Sequence, residues 1–456
     1  MPQAMHKSAR VVRSSVSFAQ TFATFATLMV GATAVGCAGA RKAPPNEARE
    51  SVAPGLPRAR PDEVGLSAEA LARIAPALRS YTESARLPGI VFAVARHGKL
   101  VQLDAVGLMD IAQRTPMRTD AVFRIFSMTK AVTGAAVAQL IERGKIRLDD
   151  PVSKYIPAFA NVRVYAGGPS GAPTLRAPTR PITIVDLLTH TAGLTYGAFG
   201  NSPVDSIYRA AGMLDPARTI AQFADSIARL PLIADPGTRW SYSMAMDVLG
   251  RVVEVASGTS FDRYLHDELF MPLGMRETGF HATPAMQGRI ATIYTRAASG
   301  ALVPDAALVG PGYRATDKVF AGGQGLLSTA PDYLRFTQML LNGGTLDGRR
   351  VLRPESVALM MRNHLPTSLS PIAPPPLGSK RGYGQGFGGI VMLDSVAAGL
   401  PTSPGEYQWC GYAGTYFWID RATDLIGMVW TQLYAGCPHP IEPQFQKLVY
   451  GAIVGR

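Results

Sequence analysis

Strand-like segments lie at both ends of this 456-residue chain, and a long, mainly helical middle separates them. Near the beginning, the runs 90–95 and 100–106 flank His97-Gly98-Lys99, which is typical of a hairpin turn. Near the end, short β-rich runs alternate with Gly, Pro and Asp; they cover 387–392, 407–409, 415–419 and 425–432. We therefore expect an α+β fold in which one sheet is assembled from both ends of the chain, with a helical region inserted between them.

The N-terminus has the pattern of an export signal. Basic residues, among them Lys7, Arg10 and Arg13, precede an apolar stretch from Phe18 to Val35 that is short and interrupted by polar residues. This predicts a signal peptide over 1–36 rather than a retained membrane span. A Pro-rich linker is expected over 37–60, followed by a single domain over 61–456.

Two ways of processing this leader are open. Cys37 follows a stretch of small residues that resembles a bacterial lipoprotein box, with Ala34 at the place usually taken by Leu. The alternative is cleavage after Ala38-Gly39-Ala40. The protein is thus expected to be exported, either as a free periplasmic protein or as an outer-membrane lipoprotein whose membrane tether is a lipidated Cys37.

Charge and cysteine content restrict the partners. The net charge is +12, but Lys and Arg are scattered without a basic block, so no nucleic-acid partner is expected. The His residues are far apart and no Cys/His group has metal-ligand spacing, so we expect no metal. Within the domain, Cys410 and Cys437 could form a disulfide or remain two separate thiols. No feature of the sequence indicates an oligomeric state.

The first chemical motif is Ser127-Met128-Thr129-Lys130, at the start of a predicted helix that extends to Arg143. Residues three apart lie on one face of a helix, so the Ser hydroxyl and the Lys amine can meet. A Ser hydroxyl becomes a nucleophile when a base takes its proton. Burial lowers the pKa of a Lys and makes it such a base. The motif alone is common, and a Ser cap followed by a solvated Lys would be the ordinary interpretation.

Two later elements change that interpretation. Tyr242 lies on a loop between a Pro236-Gly237 turn and a predicted helix, where a phenol beside a Ser–Lys pair can act as a base or relay. Near the C-terminus, Trp409-Cys410-Gly411-Tyr412 lies on a predicted strand, and its glycine permits close backbone approach. This strand could supply an oxyanion-binding N–H from Tyr412.

In this order and spacing, the three elements resemble the class C β-lactamase-related serine hydrolases, a group that includes D-Ala-D-Ala carboxypeptidase-type enzymes and family VIII carboxylesterases. The resemblance extends from about residue 60 to the C-terminus and includes the runs 182–194, 322–330 and 384–388. It implies a β-lactamase/transpeptidase-like fold, an antiparallel sheet flanked by helices. It also implies an acyl-enzyme mechanism without a cofactor.

The resemblance assigns roles by position. Ser127 would be the nucleophile, Lys130 its proton acceptor, and Tyr242 the general base for Ser127 and later for water. The backbone N–H groups of Ser127 and Tyr412 would form the oxyanion hole. The substrate would be a small-molecule ester or amide. It would be contacted by Met244, which lies in the Tyr242 motif, and by the C-terminal motif residues Trp409, Cys410 and Gly411.

Two departures from the family pattern bear on the substrate. Met244 occupies a place that many relatives fill with Asn, whose amide binds the acyl group. Trp409-Cys410-Gly411 replaces Lys-Thr-Gly, in which the Lys helps to hold a substrate carboxylate; losing such a contact typically costs about 1.5–3 kcal/mol. We therefore expect a carboxylesterase acting on neutral esters. The alternatives are a β-lactamase or D-Ala-D-Ala carboxypeptidase, and a catalytically silent binding protein on the same fold.

Overall fold

The computed structural model of the chain describes residues 55–455, except 214, 216, 306–317, 370, 371, 373–379, 435 and 438. The predicted signal peptide, Cys37 and most of the predicted linker lie outside the described residues. None of the helices in the described part is long and apolar enough to cross a membrane.

Sixteen strands are assigned among these residues. In chain order they are β1 Gly89–Arg96, β2 Lys99–Asp110, β3 Thr115–Pro116, β4 Val122–Arg124, β5 Val164–Gly167, β6 Thr174–Arg176, β7 Tyr294–Arg296, β8 Leu302–Pro304, β9 Leu327–Thr329, β10 Thr345–Leu346, β11 Arg349–Arg350, β12 Tyr383–Gln385, β13 Ile390–Met392, β14 Tyr407–Gly411, β15 Thr415–Asp420 and β16 Leu425–Trp430.

The α-helices described are α1 Ala68–Ala72, α2 Ile74–Glu83, α3 Thr129–Glu142, α4 Ile184–Leu188, α5 Pro203–Ala210, α6 Ile220–Ile227, α7 Ala245–Ser257, α8 Phe261–Leu265, α9 Met271–Leu273, α10 Pro284–Gln287, α11 Ala330–Leu341, α12 Pro354–Met360, α13 Ser395–Ala398 and α14 Ile441–Tyr450. Short 3₁₀ turns span Pro61–Val64, Phe126–Met128, Val152–Lys154, Pro157–Asn161 and Thr367–Leu369, and one π-helical turn spans His266–Phe270.

The central sheet has eight strands in the order β12-β13-β14-β15-β16-β1-β2-β3, and every neighbouring pair is antiparallel. The N-terminal and C-terminal strands meet in its middle, where Val91 on β1 pairs with Trp430 on β16. The expected α+β architecture, with one sheet from both chain ends and a helical insertion, is confirmed.

Each face of the sheet covers its own hydrophobic core, because successive side chains of a strand point to opposite faces. On β1, Ile90, Phe92 and Val94 face a core formed with α1, α2 and α14, whereas Val91 and Ala93 face the larger core beneath the helical region. Helix α3 crosses this larger core and is buried from Thr129 to Leu140. A side chain on any face of α3 in this range is therefore removed from water.

Two local expectations need correction. A proline within a helical pattern ordinarily predicts a break, but Pro76 lies in the first turn of α2, where proline is tolerated, and the break falls at Arg73, between α1 and α2. The run 387–392 is not one strand: β13 begins at Ile390, after Gly388, whose φ of 70° ends the extended geometry. The hairpin at His97-Gly98 is confirmed, with positive φ at both residues.

Candidate active site

Ser127 lies at the junction between a short strand and a buried helix. β4 pairs with β9, and the chain then turns through the 3₁₀ segment Phe126–Met128 into α3. Phe126 has a φ of 43°, a left-handed conformation that costs a non-glycine residue about 1–3 kcal/mol. Such strain is held in place by surrounding structure and is concentrated at functional sites. This turn leaves Ser127 partly exposed while the helix behind it is buried.

The Ser127 hydroxyl is in contact with two polar side chains. The Lys130 Nζ donates to Ser127 Oγ over 3.1 Å, and the Tyr242 hydroxyl donates to the same oxygen over 2.8 Å. The structure thus brings together the three residues that the sequence assigned to catalysis, although Tyr242 is 115 residues from Ser127 in the chain. Both contacts are within the range from which a base can take the Ser127 proton.

Lys130 is completely buried, and its ammonium has three acceptors. Besides Ser127, it donates to the Tyr196 hydroxyl over 3.0 Å and to the Gly323 carbonyl over 2.6 Å. Burial lowers the pKa of Lys130, because removal from water penalises the charged amine, and the nearby carboxylate of Asp247 opposes this shift. The neutral amine that a proton acceptor needs is therefore more accessible here than in an exposed Lys.

Asp247 is a component of the site that sequence reasoning missed. It lies in the first turn of α7, is fully buried, and accepts a hydrogen bond from the Gly323 N–H over 2.8 Å. Burial raises the pKa of Asp247, and the charge of Lys130 counteracts that rise. In the sequence, an Asp in the first turn of a helix is an ordinary partner of the helix dipole, so no local signal marked it.

We expect Asp247→Asn to move the acid limb of the kcat/KM profile to lower pH. The limb is expected to rise as Lys130 loses its proton, and the Asp247 charge favours the protonated form, so its removal lowers the Lys130 pKa further. Asn keeps the acceptor for Gly323. Ester hydrolysis measured between about pH 5 and pH 9 tests this; an unmoved limb, or one at higher pH, would contradict the assignment.

His190 packs against the loop that carries Tyr242. The Ser241 N–H donates to the His190 carbonyl over 2.8 Å, and the two rings of His190 and Tyr242 lie 4.9 Å apart. The His190 Nδ1 is 3.3 Å from the Ser243 hydroxyl, and burial lowers the His190 pKa, so the ring is neutral. Burial also raises the pKa of Tyr242, so its hydroxyl stays protonated in the resting site.

Aromatic rings form a continuous wall around Ser127. Tyr196 packs against Tyr242 and Phe199, and Phe199 continues to Tyr412, with ring centroids 5.2–5.8 Å apart. Neither Tyr196 nor Phe199 was predicted from the sequence to be part of the site. Their position gave one indication that they lie near the site, because both follow the run 182–194, which contributes to the family resemblance.

On β14, alternation divides the predicted substrate-binding residues between the two faces. Trp409 belongs to the larger core, with its ring 5.7 Å from that of Tyr242. Cys410 points to the opposite face, where it forms a disulfide with Cys437. The Cys410 side chain is therefore not brought to Ser127. The disulfide, one of the two alternatives left open by the sequence, is the one that the structure contains.

Position 411 requires a glycine because a backbone carbonyl of the protein itself lies close to it. A Cβ atom on residue 411 would overlap the Ile125 carbonyl, two residues before Ser127. Tyr412 follows directly, and Phe126 and Tyr412 share a small apolar cluster with Ala413. Ser127 and Tyr412 lie on adjoining segments of the chain, one in the turn into α3 and the other directly after β14. Their joint action as an oxyanion hole stays a prediction.

Gly411→Ala is expected to push β14 away from the Ser127 turn. The added methyl group cannot fit against a backbone carbonyl, so we expect about 1–3 kcal/mol of lost stability. Ester kcat/KM should fall about tenfold or more, because the Tyr412 N–H moves with the strand. Thermal unfolding and steady-state kinetics measure the two effects. Gly288→Ala, where a Cβ meets open space and φ is likewise not positive, is a control for glycine loss alone.

Met244 precedes α7 and is buried in the larger core. Its thioether offers no amide for an acyl group, and its predicted contact with substrate stays a prediction. Among the described residues, one group of potential metal ligands is close enough to share an ion, namely Cys410, Cys437 and Glu442. Its two sulfur atoms are bonded to each other and so offer no thiolate.

The chain is similar to known proteins in both sequence and structure. The chain is 36% identical to Protein Rv1367c of Mycobacterium tuberculosis over 354 residues, 76% of this chain and 86% of that protein. It is 33% identical to the esterase EstB of Burkholderia gladioli over 389 residues, 80% of this chain and 91% of EstB. Among solved structures, EstCE1, a hydrolase with promiscuous acyltransferase activity, superposes with a TM-score of 0.73 at 29% identity, covering 84% of this chain and 99% of that one. A family model described as Beta-lactamase matches residues 74–445, and this chain therefore belongs to the Beta-lactamase family of serine hydrolases.

Proposed function

We propose that the protein is a carboxylesterase that hydrolyses neutral esters through an acyl-enzyme on Ser127. The observation that carries this proposal is the position of the Ser127 Oγ, which lies within hydrogen-bond distance of both Lys130 Nζ and Tyr242 Oη. A hydroxyl between a buried amine and a buried phenol can give its proton to one while the other holds a proton for the leaving group.

The first half-reaction forms the acyl-enzyme. Neutral Lys130 accepts the Ser127 proton while Ser127 Oγ bonds to the ester carbonyl carbon, and the carbonyl oxygen takes the negative charge. The N–H groups of Ser127 and Tyr412 bind that oxyanion. The C–O bond then breaks, the leaving alkoxide takes the Tyr242 proton, and the proton on Lys130 replaces it. Because burial lowers the pKa of Lys130 and raises that of Tyr242, Lys130 rather than a Tyr242 phenolate is the first acceptor.

The second half-reaction uses water as the nucleophile. Water adds to the acyl carbon as the Tyr242–Lys130 pair accepts its proton. The bond between the acyl carbon and Ser127 Oγ breaks, the proton returns to Ser127, and a carboxylic acid leaves. The net reaction consumes one ester and one water and yields one acid and one alcohol, without a cofactor.

The preference for neutral substrates is supported by the side chains around Ser127. Trp409 stands where a Lys would bind a substrate carboxylate, and the wall formed by Phe199 and Tyr412 is aromatic. Within the described residues, Lys130 is the one basic side chain hydrogen-bonded to Ser127, and the neutral amine that the mechanism requires carries no charge to pair with an anion. An anionic substrate would thus lose solvation without gaining a charge partner. The esterase activity named for EstB agrees with this preference.

A direct comparison of substrates tests the proposal. We expect kcat/KM for p-nitrophenyl butyrate to exceed that for the β-lactam nitrocefin by about 100-fold or more, since one unmatched carboxylate costs about 1.5–3 kcal/mol and the missing Asn adds to it. Faster turnover of nitrocefin, or of a D-Ala-D-Ala peptide, would favour the alternative enzymes. A protein that stays unlabelled at Ser127 by a fluorophosphonate probe while folded would be the silent binding protein.

The aromatic wall also favours a second candidate, transfer of the acyl group to an alcohol. An apolar alcohol that packs against Phe199 and Tyr412 would compete with water for the acyl-enzyme. EstCE1 is described as having such activity. The test is product partition: with vinyl butyrate and a hydrophobic alcohol in water, transfer predicts a new butyrate ester whose share rises with alcohol concentration. If butyric acid is the sole product, the protein hydrolyses esters and does not transfer the acyl group to the alcohol.

A further inference from the structure

The disulfide between Cys410 and Cys437 lies directly behind the predicted oxyanion segment. Cys410 immediately precedes Gly411-Tyr412, and Cys437 lies in the segment that follows β16. Both cysteines are buried, on the sheet face opposite Ser127. The bond therefore joins the end of β14 to the segment after β16 on the sheet face opposite Ser127, and neither sulfur atom enters the site.

The second segment is in close contact with Tyr412. The Gly436 N–H donates to the Tyr412 carbonyl over 2.9 Å, and the Leu433 N–H donates to the Ala413 carbonyl over 3.0 Å. The Tyr434 ring meets the Tyr412 ring edge-on, with centroids 4.8 Å apart. Tyr434 also packs against Phe126, the strained residue before Ser127. Segment 433–437, by its described residues, thus supports both sides of the predicted oxyanion hole.

Among its described residues, segment 433–437 is buried at Leu433 and Cys437 and is joined to its neighbours by a small set of contacts. It follows β16 without being part of a strand, and its described residues are held by the contacts with Tyr412, Ala413 and Tyr294 and by the disulfide. A covalent bond at one end keeps Gly436 and Tyr434 in place against Tyr412. The orientation of the Tyr412 N–H depends on this support, and oxyanion stabilisation is steeply sensitive to donor position.

We propose that the Cys410–Cys437 disulfide is a positioning element of the active site, and that its reduction slows acylation of Ser127 by releasing the segment that holds Tyr412 and Tyr434. The inference rests on the proposed ester hydrolysis at Ser127. It makes the activity dependent on the redox state of the protein, which the export predicted from the N-terminal sequence would keep oxidised.

The redox step is a simple exchange. A dithiothreitol thiolate attacks one sulfur atom, which breaks the Sγ–Sγ bond and forms a mixed disulfide; the second dithiothreitol thiol then displaces the protein thiol as the reductant closes to its cyclic disulfide. Two electrons and two protons pass to the protein, and Cys410 and Cys437 become thiols. Removal of the reductant and addition of oxidised glutathione reverses the exchange and re-forms the bond.

The experiment compares the oxidised, reduced and reoxidised full-length protein, with thiol titration in denaturant to confirm each state. We expect kcat for p-nitrophenyl butyrate to fall about tenfold on reduction and to recover on reoxidation, with KM changed less. The Cys410→Ser/Cys437→Ser variant should match the reduced wild type and not respond to reductant. Cys37→Ser retains the disulfide and should respond as the wild type does.

A second variant separates positioning from general stabilisation. Tyr434→Ala removes the ring contact with Tyr412, so we expect it to lower kcat in the oxidised protein and to add little once the disulfide is reduced. If reduction lowers only the thermal midpoint and leaves kcat at 25 °C unchanged in the folded protein, the inference is wrong while the proposed function stands. If the oxidised wild type neither hydrolyses esters nor reacts with a fluorophosphonate, the proposed function fails and the inference with it.

Discussion

Ser127→Ala is expected to lower kcat/KM for p-nitrophenyl butyrate at least about 10⁴-fold while the protein remains folded, because no acyl-enzyme can form without the Ser127 oxygen. The hydroxyl accepts hydrogen bonds from Lys130 and Tyr242, and alanine removes both contacts. Lys130 keeps the hydroxyl of Tyr196 and the carbonyl of Gly323 as acceptors, so its burial stays compensated. Initial rates with the ester, together with circular dichroism, measure the two parts of this result.

The matched control for Ser127→Ala is Ser80→Ala, which deletes the same hydroxyl from an exposed position on α2. It should leave kcat/KM unchanged. A fluorophosphonate should label the control protein and leave the Ser127 variant unlabelled. Ester hydrolysis within tenfold of wild type in purified Ser127→Ala would show that another residue is the nucleophile and would overturn the proposed mechanism.

Tyr242→Phe is expected to lower kcat/KM about 10²- to 10⁴-fold, the usual contribution of a positioned proton donor or acceptor. The substitution removes one oxygen, which lies 2.8 Å from Ser127 Oγ, and keeps the ring that packs against Trp409 and His190. The loss should therefore be in chemistry, with little change in unfolding temperature. Single-turnover kinetics with the p-nitrophenyl ester would separate acylation from deacylation, and both steps should slow.

Tyr196→Phe is the control that tests whether position or mere loss of a phenol matters. The Tyr196 hydroxyl accepts from Lys130 and does not contact Ser127, so its removal costs one neutral-acceptor hydrogen bond and about tenfold or less in rate. Equal losses in the two variants would mean that Tyr242 acts only by supporting Lys130, as Tyr196 does. A Tyr242→Phe enzyme with wild-type kcat would remove Tyr242 from the mechanism.

The central pair of the site was accessible from the sequence because it is local. Ser127 and Lys130 are three residues apart at a helix start, and that spacing alone brings their side chains together. Tyr242 and the β14 strand were found in a different way, through a resemblance that covers widely separated motifs. No rule of spacing connects residue 127 with residue 242, so their 2.8 Å contact is a property of the fold.

Asp247 and Tyr196 were missed because their importance arises from burial. Either residue has an ordinary local interpretation, a first-turn acid in a helix and an aromatic residue in a loop. Their significance follows from the complete burial of Lys130, which neither composition nor periodicity of α3 reveals at a single position. The packing role of Gly411 was not apparent for the same reason: the carbonyl that approaches it belongs to Ile125, which is 286 residues earlier in the chain.

The fold was predictable at the level of segments and less so at their ends. Alternation and turn residues placed β1 and β2 correctly, because a hairpin is determined by neighbouring residues. The break at Arg73 and the late start of β13 depend on what the chain packs against, and so the local signals at Pro76 and 387–389 misplaced both.

The pairing of β1 with β16 delays assembly of the sheet until late in synthesis of the chain. Val91 and Trp430 are partners in the middle of the sheet, so the two halves of the sheet cannot join until nearly the whole polypeptide is available. Ser127, Lys130 and Tyr242 are all synthesised before that moment, whereas β14 and the segment that supports Tyr412 come after them. A growing chain would therefore carry the proposed nucleophile long before the predicted oxyanion hole can form, and we expect activity only when the last strands have joined the sheet.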